Sequence, residues 1–166
     1  MKALLALLLA LPSFGQNQHP RSVSEVPRVY IATCSATLSG AGTACTIQQP
    51  ATGANNVRLM YAQVYCSVAC TVTQERNGTA ATATSATVKR VNPDRTDAIT
   101  AVVYSASDVG VGTAFVDKTL VAGTTVIKLD GVYLLGSGTA KNYTVRVASM
   151  TGTVAIAFEW EEYNVN

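Results

Sequence analysis

From Val154 to Glu161 the chain alternates with a period of two. Val154, Ile156, Phe158 and Trp160 fall on one side of an extended backbone, and Ala155, Ala157, Glu159 and Glu161 on the other. A half-buried strand satisfies that pattern, whereas a helix would scatter the same residues around its circumference. No segment after residue 20 repeats its apolar residues at the helical period, so the constraint extends to the whole chain. Ala, Thr, Val and Gly dominate, Lys, Glu and Leu are sparse beyond the first residues, and β-branched residues recur in short runs.

Turn signals divide the rest. Arg28 to Cys34 and Thr43 to Gln48 read as two strands of a hairpin with a loose tip at Ser39-Gly40-Ala41-Gly42. Val57, Leu59 and Tyr61 alternate with Arg58, Met60 and Ala62, and the run continues to Tyr65 as a longer strand. Thr71 to Arg76 follows and ends at Asn77-Gly78, a strong hairpin signal. The return arm is the Ala/Thr-rich run Thr79 to Val91, whose small and hydroxylated side chains suit a sheet lying close to another surface. After Asn92-Pro93-Asp94-Arg95 come strand-like Ala98 to Tyr104 and a loop from Ser105 to Gly112. Thr124 to Leu129 then precedes a turn at Asp130-Gly131, and Tyr143 to Ser149 is turned into the last strand by Thr151-Gly152. About eight strands with polar turns predict an all-β, antiparallel two-sheet β-sandwich.

The N-terminus predicts where the domain works. Lys2, the apolar run Ala3 to Leu11, and small residues at Ser13 and Gly15 form a signal peptide over residues 1–15. The run is shorter than the roughly 20 residues a membrane span needs, so no span is expected in the mature form. The expected location is secreted, extracellular or cell-surface, with the periplasm as the bacterial equivalent. Residues 16–27, with Pro20, Pro27 and the single histidine His19, bury too little to order alone and read as a flexible leader. Residues 28–166 are left as one sandwich domain. Without Lys2 the 12 basic residues become 11 against 10 acidic ones, a net of +1, and no nucleic-acid-binding stripe follows.

Export makes the cysteines disulfide candidates. Four cysteines allow three pairings, and proximity favours Cys34 with Cys45 and Cys66 with Cys70. Zinc is the rival reading, but no Cys-x-x-Cys pair is present and His19 lies in the leader. The same position of His19 removes the imidazole that Ser-His-Asp or Cys-His chemistry requires. Carboxylates offer one enzymatic route. Glu159 and Glu161, with Glu162 beside them, are spaced about 7 Å along a strand, within the range of glycosidase pairs. A solvated strand face guarding against edge pairing explains the same residues. Asn92, Asp94 and Asp97 could donate oxygens to calcium, although Asn-Pro-Asp also forms a turn without metal. Asn77-Gly-Thr79 and Asn142-Tyr-Thr144 match the glycosylation sequon. Trp160 reads as core, while Tyr104, Tyr133 and Tyr163 are less constrained and could line a ligand groove or a subunit contact. No cofactor is expected.

The order of an early hairpin, a long strand, an Asn-Gly hairpin, Ala/Thr-rich strands and an aromatic-rich last strand is similar to jelly-roll domains of phage fibre and bacterial surface proteins. These include trimeric modules of the tumour-necrosis-factor and C1q type. The resemblance covers Arg28 to Tyr163, is architectural, and carries no functional residue across. It implies a jelly roll used for display or adhesion, often trimerising through one sheet. The expected function is a non-enzymatic structural or adhesive module whose partner is a second copy of itself or another surface or fibre protein. The alternative is a carbohydrate-binding module, or a glycan-active enzyme using Glu159 and Glu161.

Overall fold

The computed structural model of the protein describes residues 28–51, 55–76, 79–80, 83–93, 96, 98–106, 109–110, 113–134 and 141–164. In chain order the strands are β1 (Arg28–Ser39), β2 (Thr43–Gln49), β3 (Asn55–Cys66), β4 (Cys70–Arg76), β5 (Thr79–Ala80), β6 (Ala83–Ser85) and β7 (Val88–Arg90). They continue as β8 (Val102–Ala106), β9 (Val109–Gly110), β10 (Thr113–Leu120), β11 (Gly123–Leu134), β12 (Lys141–Val147) and β13 (Thr151–Asn164). The described residues contain no helix, and so none long and apolar enough to cross a membrane.

Two antiparallel sheets face each other. One has the order β11-β3-β13-β1-β7, the other β10-β4-β12-β2-β8-β6, and β5 pairs with β9 as a separate ribbon. The long strands pair from the ends of the chain inward: β1 with β13, β2 with β12, β3 with β11 and β4 with β10. This is a long hairpin rolled up so that successive pairs fall in alternate sheets, the connectivity of a jelly roll. The short strands β5 to β9 form an insertion whose members extend both sheets beyond β1 and β2.

That topology corrects several local expectations. β1 and β2 form no hairpin ladder: β1 lies in the five-stranded sheet and β2 in the six-stranded one. Adjacency in sequence gives way because each strand buries an apolar face, and placing the two in opposite layers makes those faces meet. Gly40, at φ 119°, allows the corner, and its N–H donates to Met150 O at 2.9 Å. Nor does β4 pair with the Ala/Thr run after it; its neighbours are β10 and β12. That run divides into β5, β6 and β7, each in a different sheet, because small side chains fix no single register. Asn77 and Gly78 lie outside the described residues.

Thr113 to Leu120, unassigned from sequence, is the edge strand β10. Ala98 to Ala101 is not strand, and β8 runs on through Ser105 and Ala106, while Val109 and Gly110 form β9 where a loop was expected. Asp130-Gly131 is no turn: β11 passes through it, and its pairing with β3 shifts between Lys128 and Val132 as at a bulge. Thr151 and Gly152 already belong to β13, which lies in the sheet opposite β12.

The alternation in the last strand is observed as read. Val154, Ile156, Phe158 and Trp160 are buried between the sheets. The Tyr30 and Trp160 rings lie 5.8 Å apart, and Phe158 meets the Tyr143 ring edge-on at 5.9 Å. These aromatics supply much of the apolar area that holds the layers together. Tyr143 also donates its hydroxyl to Gln74 Oε1 at 2.6 Å, and burial pushes its phenol above the ordinary range.

Candidate functional site

Both favoured cysteine pairs are disulfides, with Cα separations of 5.8 Å for Cys34–Cys45 and 6.3 Å for Cys66–Cys70. Each joins the two sheets. Cys34 and Cys66 stand opposite Ile156 and Val154 on either side of β13, so the staples straddle the central strand. Both bonds are compatible with an oxidising location. They leave no free thiol in the chain, and among the described residues no cluster of His, Cys, Asp and Glu could hold a metal ion.

The carboxylates divide by strand parity. Glu159 and Glu161 share the outer face of the five-stranded sheet, turned away from the core. Arg58 donates to Glu161 at 3.4 Å. The hydrogen bond between Tyr61 and Glu159 holds that phenol above its ordinary value of 10.0. Glu162 is not part of this face. It continues the even-numbered phase of Trp160 and is 1% exposed. Its carboxylate accepts from Ala101 N at 2.8 Å, Trp160 Nε1 at 3.3 Å and Asn55 Nδ2 at 3.2 Å. Thr100 contributes its backbone N–H at 3.0 Å and its hydroxyl. Parity alone would have placed Glu162 inside, but its charge grouped it with its neighbours. It is a clamp fixing the chain ahead of β8 to the end of the opposite sheet.

The expected tyrosines are divided between the two sheets. Tyr104 lies on β8 in the six-stranded sheet, whereas Tyr133 and Tyr163 lie on β11 and β13 in the other. Tyr163 is 38% exposed. Of the calcium candidates, Asn92 is exposed at a bend, and Asp94 and Asp97 lie outside the described residues, as does His19. Asn142 of the second sequon is buried on β12.

The two outward faces differ. On the six-stranded sheet, Thr46 Oγ1 and Thr144 Oγ1 share a hydrogen bond of 2.8 Å, Arg146 pairs with Glu75 at 3.0 Å, and Thr46, Thr144 and Glu75 are buried. On the five-stranded sheet the outward rows are open. One row runs Thr33, Ala157, Gln63 and Val126; the next runs Ser35, Ala155, Tyr65 and Thr124. Neither row carries a charge. Ala155 and Ala157 lower the middle of this surface, and Tyr65 and Val126 rise beside it, 41% and 53% exposed. Charge begins only in the adjoining row, at Glu159 and Lys128.

Sequence reading missed this surface because its residues come from four strands. β13 supplied the visible half of the signal, Ala155 and Ala157 in alternation with the core. Comparison of the chain with family models, curated proteins and solved structures finds no match.

Proposed function

We propose that the protein is an exported, non-enzymatic structural module that packs the outer face of its five-stranded sheet against copies of itself, on a surface or in a fibre. The observation that carries this reading is the uncharged double row centred on Ala155 and Ala157. Small side chains on a sheet let a second layer approach closely, and projecting Tyr65 and Val126 supply the apolar contact that a subunit interface needs. On the other outward face Thr46, Thr144 and Glu75 are buried, and Arg146 and Glu75 form an ion pair across it. Two inter-sheet disulfides suit a module that must hold its shape outside the cell. Light scattering on the purified protein over a range of concentrations tests it: a discrete oligomer is expected, and a monomer up to the solubility limit overturns it.

A second reading rests on Tyr65 alone. An exposed ring on a flat sheet is a platform for a sugar face, and a glycan array with Tyr65→Ala as the control tests it. Binding that survives the substitution, or no binding at all, removes this reading.

A further inference from the structure

Sheet edges invite pairing, and folded proteins protect them by shortness, charge or bulges. Three of the four outermost strands here are protected in this way. β6 has three residues; β10 carries exposed Lys118 and a register shift between Ala114 and Val116; β11 carries exposed Lys128 and the shift at Val132. The fourth, β7, also has three residues, including Lys89 and Arg90, but it covers only Tyr30 to Ala32 of the longer β1. Beyond Ala32 the chain of the insertion crosses to the other sheet, where Ala86 N donates to Val103 O at 2.8 Å. On the side away from β13, Thr33 to Ser39 therefore has no strand beside it among the described residues.

Its chemistry is unprotected. The stretch contains no charge and no proline, and Thr33, Ser35, Thr37 and Ser39 are exposed. The bond from Val91 N to Val29 O, 3.0 Å, shows that odd-numbered residues of β1 turn their backbone groups toward this edge. The same four hydroxyl residues thus turn their N–H and C=O groups to the side where no strand lies among the described residues. A cleft of about 410 Å³, lined by Ile31, Ala32, Thr33, Thr87 and Lys89, opens where β7 stops.

We infer that β1 pairs edge to edge with β1 of a second copy, antiparallel and about a two-fold axis at Ala36, joining two five-stranded sheets into one. The sequence is self-complementary about that residue. Thr33 meets Ser39 of the other copy and Ser35 meets Thr37, so each hydrogen-bonded pair is also a hydroxyl pair on the outer face. Ala36 faces itself at a position where the backbones approach most closely and only a small side chain fits well. The register ends at Thr33, just short of β7. A two-fold contact of this kind uses the same patch on both subunits and closes on itself. The inference rests on the self-association reading above and adds a second contact beside the sheet face.

Sedimentation velocity across a concentration series, on the protein and its variants, tests it. Ser35→Pro removes an N–H that points to the open edge and leaves the ladder to β13 intact. Ser35→Pro and Thr37→Lys are expected to weaken the dimer about tenfold or more, with the far-ultraviolet spectrum unchanged. Ala36→Cys is expected to form a covalent dimer under mild oxidation, and Thr33→Cys is not. Edge variants that leave association intact while Ala157→Glu abolishes it would overturn this inference and leave the face reading standing. A wild-type monomer at every concentration would overturn both.

Discussion

Glu162 and Thr100 are 62 residues apart in sequence, yet the Glu162 carboxylate takes both the backbone N–H and the hydroxyl of Thr100. One buried side chain on β13 thereby anchors the segment that leads into β8. Asn55 extends the anchor: its Nδ2 also donates to Thr100 Oγ1 at 2.7 Å, and its carbonyl accepts from Gln49 Nε2 at 2.6 Å.

Glu162→Ala would leave the buried N–H groups of Ala101 and Trp160 and the half-buried N–H of Thr100 without this acceptor. The expected loss is about 3 kcal/mol or more, read as a lower denaturant midpoint. Glu161→Ala removes only a partly exposed pair with Arg58 and is expected to cost about 0.5 kcal/mol. Equal costs for the two substitutions would contradict the parity assignment.

The disulfides should differ in weight. On the chain-entropy account, replacing Cys34 and Cys45 together by Ala removes about 3 kcal/mol, and replacing Cys66 and Cys70 about 2 kcal/mol, because the second loop is shorter. Chemical denaturation of the two double variants measures the ordering. Mass spectrometry that finds either pair reduced in the purified protein would contradict both assignments.

Tyr143 sets an alkaline limit. Burial raises its phenol above the ordinary value of 10.0, so the folded state holds this proton more tightly than the unfolded chain. The sign follows from linkage: the contribution is complete below pH 10 and is lost as pH rises above it. Spectrophotometric titration should show Tyr143 ionising only as the fold opens, and Tyr143→Phe should remove that component. The same variant leaves Gln74 Oε1 without its donor, at a cost of about 1–2 kcal/mol.

What could be read before the structure was what is local. The period of two in β13 identified the strand and its core face, since burial on one side leaves its mark on each strand separately. In β3 it identified the strand, but the phase shifts after Leu59, so that Ala62 and Val64 are buried where the alternation places Tyr61 inside. The disulfide pairs were legible from spacing, although their role was not: Cys34 and Cys45 connect facing sheets because the neighbour of β1 is β13, at the other end of the chain. Asp130-Gly131 has the composition of a turn but is carried through β11, where a ladder formed on both sides outweighs local preference. The open face and the open edge were illegible for a common reason. Each is defined by which strands lie beside which, and no single segment contains that information.

On the proposed function, Ala155 and Ala157 mark a surface where copies of this chain meet. Light scattering of the protein beside its Ala157→Glu variant tests it most directly. The prediction is a mass at a whole-number multiple of the monomer for the protein, and a smaller assembly or a monomer for the variant at an unchanged melting temperature. A monomeric protein, or a variant that assembles as fully as its parent, would contradict it.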